Sequence, residues 1–140
     1  MTNPIFLLAT TSLFFLLCYV TFGYGAAYQI GYGAFTLMAA MISLTFLLLW
    51  AKRATPLAMG MAFGWAGASS VMGWWWLYNL LGEPSAMKSN PILLMFLSVY
   101  FSGAVMHFMV IERSFGSHGH VFVVPVALAM LVSMFLNFLM

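Results

Sequence analysis

Residues 55–82 read TPLAMGMAFGWAGASSVMGWWWLYNLLG, with no charged side chain anywhere in the run. About 20 apolar residues cross the hydrocarbon core of a bilayer at 1.5 Å of rise each, so this stretch is long enough to span one. Thr55 before Pro56 is an expected helix cap followed by the residue best tolerated at the first helical position. One side of that helix carries Gly60, Gly64 and Ala68 at every fourth position; a neighbouring side carries Ala62, Ala66 and Ser70. Small residues at this spacing let helix backbones approach in lipid, where close packing is the adhesive. The far end, Trp74-Trp75-Trp76-Leu77-Tyr78, has the amphipathic rings that settle at the headgroup level. The sequence predicts a central packing helix with one aromatic end.

Composition sets the class. The chain has 140 residues, 65% hydrophobic and 4% charged, where soluble domains carry about 25% charged residues. A soluble fold is excluded, and the expected fold is all-α: a single integral membrane bundle of five transmembrane helices with short loops. The net charge of +2 comes from four basic and two acidic residues. That is too little to track a phosphate backbone, so nucleic acid is excluded as a partner. Cys18 has no second cysteine to pair with and reads as a small apolar packing residue. The N-terminal apolar run lacks a basic leader and exceeds the roughly 7–15 residues of a signal-peptide core, so it is expected to be a span.

The expected spans are about 4–22, 34–51, 56–81, 91–111 and 121–140. Asn3-Pro4 and Asn90-Pro91 repeat the cap-then-proline opening. Gly23-Tyr24-Gly25 and Gly31-Tyr32-Gly33 bracket Gln29 in an expected loop. Glu83-Pro84-Ser85 ends the central helix, with a polar loop continuing through Lys88 to Asn90. Lys52, Arg53 and Arg113 then fall on one side of the membrane, and Lys88 and Glu83 on the other. The positive-inside tendency puts the N-terminus in the cytoplasm and the C-terminus outside, in what is expected to be a bacterial inner membrane.

Few residues invite chemistry. His107 is the most informative, because an ionisable group inside a span is costly and usually faces protein or water. With Glu112, Ser98, Ser102 and Asn79 it forms a candidate ligand or ion pathway. Glu112 lies five residues beyond His107, about 140° around the helix, so the two share no face. His118 and His120 flank a glycine and are weak metal candidates, since a structural zinc site takes about four ligands. A b-type haem would need facing imidazoles, and only His107 lies within a span. Thirteen methionines suit Cu(I) in principle but are scattered in the manner of packing residues. Gly67-Ala68-Ser69-Ser70 resembles the Gly-x-Ser-x motif of rhomboid proteases, a fold that needs six spans.

A third small or polar stripe, Ala129, Ser133 and Asn137, marks the last span for helix contact. The sequence requires no cofactor and shows no catalytic set. The function expected first is a packing or accessory subunit of a homo- or hetero-oligomeric membrane complex, with the lipid bilayer and other membrane subunits as partners. Its aromatic-lined grooves suit lipid or another apolar ligand. A transporter or channel using His107 and Glu112 is the alternative, set second because so few polar groups lie near the midplane to line a pathway. A membrane redox or enzyme subunit is the third.

Overall fold

The computed structural model describes residues 3–114 and 123–139. These residues form four long helices and one single turn: α1 (Pro4–Arg53), α2 (Pro56–Leu80), α3 (Ser85–Lys88), α4 (Ile92–Ser114) and α5 (Val123–Leu139). Helix α2 sits between α1 and α4, which pack on it from opposite sides, while α5 rests lightly on α4.

Helix α1 is 50 residues long but is broken at Gly23, whose φ of 82° and ψ of 172° lie outside the helical region. That combination belongs essentially to glycine, because a Cβ would clash there. The segment before the break folds back along the one after it, setting the Phe15 ring against Gly31. Here the structure differs from the sequence reading, which places residues 23–33 in a loop. Helix resumes immediately after Gly23 and runs unbroken to Arg53. The later glycines serve close approach instead of chain reversal. A Cβ at Gly33 would lie 2.8 Å from Cε2 of Trp76, and one at Gly31 would lie 3.2 Å from Cε1 of Phe15.

The other boundaries follow local chemistry. The Asn3 side chain accepts from the Ile5 N–H at 3.1 Å, and Asn90 accepts from the Ile92 N–H at 3.0 Å. Thr55 occupies the cap position of α2 without making a side-chain cap bond, a correction to the expected cap. Its carbonyl accepts from Ala58 and Met59 instead. Ala54 closes α1 in a left-handed conformation, its N–H bonded to the Trp50 carbonyl at 2.6 Å. Lys52 and Arg53 fill the last turn, where their charge suits the helix dipole. The polar loop after α2 contains the turn α3, held by a bond from the Trp74 indole N–H to the Met87 carbonyl at 3.3 Å.

The interior is built of small residues. Buried apolar side chains are Cys18, Ala39, Ala58 and Ala62, and among the described residues no large side chain is fully enclosed. Large apolar residues are exposed along α1, α4 and α5, from Ile5 and Phe6 to Phe138, and on α2 only near its ends, at Leu57, Leu77 and Leu80. Two helices, Pro4–Arg53 and Ser85–Ile111, are long and apolar enough to cross a membrane, and Val124–Leu139 is a shorter apolar helix. The central helix α2 is not among these. Its glycines, serines and tryptophans lower its hydropathy because much of its surface faces helices.

Candidate ligand groove beside the α2–α4 seam

The geometry of α2 follows from its turn. Each residue advances about 100°, so a four-residue step drifts about 40° while a seven-residue step returns within about 20°. The contacts obey the seven-residue line. A Cβ on Gly60 would lie 2.8 Å from the His107 backbone nitrogen, and one on Gly67 would collide with the Tyr100 backbone. Between them a Cβ on Gly103 would collide with the backbone at Phe63–Gly64. Gly60, Gly67 and Gly103 therefore bring α2 and α4 into backbone contact.

Two residues advance about 200°, which points Ala62 almost opposite to Gly60. On that side the Ser43 hydroxyl donates to the Ala62 carbonyl at 2.8 Å, and the Ser69 hydroxyl donates to the Thr36 carbonyl at 2.8 Å. Gly73 receives the Thr36 methyl group, since a Cβ there would lie 3.0 Å from Thr36 Cγ2.

The drift of the four-residue stripe opens a groove. Gly64 lies about 40° and Ala68 about 80° off the line through Gly60, and both line a cavity of about 440 Å³. Phe35 of α1, Met61 and Trp65 of α2, and Tyr100, Ala104, His107 and Phe108 of α4 complete it. A Cβ added at Gly64 meets nothing within 4 Å. The groove is mainly apolar, and His107, Tyr100 and Trp65 are the lining side chains that carry a hydrogen-bonding atom. His107 Nδ1 is buried and forms no hydrogen bond, and a buried polar atom without a partner is uncommon in a folded protein.

The remaining candidates scatter. Ser98 and Ser102 are exposed, their hydroxyls donating one turn back to the Leu94 and Ser98 carbonyls at 2.9 and 2.8 Å. The Asn79 amide donates to the Trp75 carbonyl at 2.8 Å and to the Tyr28 hydroxyl at 3.4 Å, at the aromatic end of α2. The structure does not bring these three to His107. Glu112 lies in the last turn of α4, and its side chain falls outside what is described. His118 and His120 lie outside the described residues.

Among the packing candidates, Ala62 is buried against α1, while Ser70 donates to the Ala66 carbonyl within α2 at 2.8 Å. Ala129 and Ser133 line a shallow hollow with Phe101, and Asn137 is exposed.

The sequence marks Gly103, beside Ser98 and Ser102, for helix contact, whereas Gly67, Gly73, Thr36 and Ser43 carry contacts that the four-residue stripes do not mark. The signal for Gly67, Thr36 and Ser43 is the seven-residue pairing of Gly60 with Gly67, Ala62 with Ser69 and Thr36 with Ser43, which stays in register between antiparallel helices.

Among the described residues no three metal-ligating side chains cluster. One imidazole beside an apolar trough suits holding a largely apolar molecule with a single hydrogen-bonding group. Compared with known proteins, the chain matches no family model, no curated protein and no solved structure.

Proposed function

We propose that this chain is a small multi-pass membrane protein that serves as a packing subunit of a homo- or hetero-oligomeric membrane complex. In this reading five segments cross the bilayer: 4–22, 24–53, α2, α4 and α5. Lys52, Arg53 and Arg113 lie on the cytoplasmic side, by the positive-inside tendency. The observation that carries the proposal is the inverted distribution of side chains: among the described residues the buried apolar ones are Cys18 and three alanines of α1 and α2, while large apolar side chains are exposed along α1, α4 and α5 and at both ends of α2. Contiguous apolar surface on a soluble monomer rarely exceeds a few hundred Å², and this molecule needs lipid or protein cover over most of its length. Helix α5 and the segment 4–22 are exposed over most of their residues, which leaves room for neighbours. Ser98 and Ser102 spend their donors on their own helix, so they add little to a transport pathway.

Membranes holding the tagged chain are washed with alkaline carbonate, then solubilised in mild detergent for native mass spectrometry. The chain is expected to resist the wash and to fly as an assembly heavier than one copy. Release by carbonate sinks the membrane reading. A lone monomer in every mild detergent sinks the subunit reading.

A further inference from the structure

We propose that the groove beside the α2–α4 seam holds one acyl chain of an ester-linked membrane lipid, with the ester carbonyl on the His107 imidazole. This deepens the membrane reading above and rests on it. The size fits, since about 440 Å³ falls within the range of small-molecule sites.

The shape fits as well. From Gly60 to Ala68 the trough follows eight residues of α2, about 12 Å of rise, and its floor at Gly64 is open. Its one imidazole lies at one end. His107 stands at one end, the walls beyond are Phe35, Met61, Trp65 and Ala104, and Tyr100 marks the other end.

Depth selects the lipid. His107 precedes Ile111 by four residues, about 6 Å of rise, and the charged pair Glu112-Arg113 follows at once. The imidazole therefore sits near the edge of the hydrocarbon layer. Ester carbonyls of glycerolipids lie at that boundary, and their chains run inward from it.

Hydrogen bonding supplies the last element. A neutral imidazole has one N–H and one lone pair. Nδ1 is enclosed without a partner, so a proton there would be an orphaned donor, the costlier arrangement. The inferred tautomer carries its proton on Nε2, which makes the imidazole a donor to a carbonyl oxygen.

The test uses the full chain, purified in mild detergent and stripped of lipid. It is titrated with dioleoyl phosphatidylglycerol and with the diether analogue of the same headgroup and chains, and retention is read by native mass spectrometry. The wild type is expected to hold one ester lipid per chain and to bind the ether form about fivefold more weakly, the worth of one neutral hydrogen bond. His107→Leu is expected to bring ester binding down to the ether level and to leave ether binding unchanged. Gly64→Leu fills the floor from a Cβ position that meets nothing within 4 Å, and Ala68→Leu fills the trough from its far end. Each is expected to lose both lipids while keeping wild-type helicity by circular dichroism.

Equal affinity for ester and ether in the wild type overturns the proposal. So does undiminished lipid retention in a normally helical Gly64→Leu or Ala68→Leu protein, or displacement of the ester lipid by an equimolar prenylated benzoquinone. A chain that resists carbonate yet shows no ester preference removes this inference and leaves the membrane reading standing; a carbonate-released chain removes both.

Discussion

The two sides of α2 solve the same problem by different chemistry. Toward α1 the helix offers alanine and serine, and two hydroxyl-to-carbonyl bonds of 2.8 Å cross the interface. Toward α4 it offers glycine, and backbone lies directly on backbone at Gly60, Gly67 and Gly103. The first seam is directional and keeps its register through hydrogen bonds. The second draws on dispersion across close-packed main chain, which falls away steeply with separation. A seam of the second kind has no room for a side chain. Just beside it, where the helices curve apart and glycine contributes no bulk, it leaves a trough.

Substitution at the glycine seam is expected to have the largest effect. Gly67→Val places branched carbon onto the Tyr100 backbone and is expected to cost about 3 kcal/mol, the upper end for overpacking, read as a fall in unfolding midpoint in mixed SDS micelles. A change of less than about 0.5 kcal/mol, the size of an inert surface substitution, would mean that α4 does not lie where the structure places it.

Gly64→Ala sharpens the contrast, because it sits one turn from Gly60 in the same stripe yet faces open space. It is expected to stabilise by about 0.5–1 kcal/mol through helix propensity alone. A loss of stability in the same titration would show that the added methyl group meets a neighbour and that Gly64 packs with its α-carbon face as well as its backbone.

Smallest is Ser69→Ala on the α1 side. One interhelical side-chain bond in a membrane protein averages about 0.6 kcal/mol, and Ser43→Ala together with Ser69→Ala is expected to be close to additive. The two bonds join Ser43 to Ala62 and Ser69 to Thr36, a seven-residue step along each helix and about 10 Å of rise, beyond direct coupling. A double-mutant loss several times the sum of the singles would show that they act as one latch.

Several features were legible from residue types alone. The charge-free run at 55–82 foretells a helix that others pack on, and the Asn3-Pro4 and Asn90-Pro91 openings foretell caps that the side chains do make. Other features turn on partners distant in the chain. Glycine is both a breaker and a contact residue, so the cluster from Gly23 to Gly33 reads as a loop until Trp76 and Phe15 are seen against it. The small-residue stripe has the same ambiguity. A four-residue repeat and a seven-residue repeat coexist at Gly60, Gly64 and Gly67, and only the position of α4 distinguishes seam from trough.

By itself the sequence determined that this chain is helical, nearly uncharged, small inside its central helix and aromatic at one end of it. Those are properties of composition and of local backbone preference, which need no neighbour to be expressed. Tertiary structure decided which glycines touch, that helix resumes directly after Gly23, and that His107 closes one end of a trough floored by Gly64. Helical drift of about 40° per four residues sends each member of a stripe toward a different surface. What lies at that surface is set by helices that the chain delivers from far away.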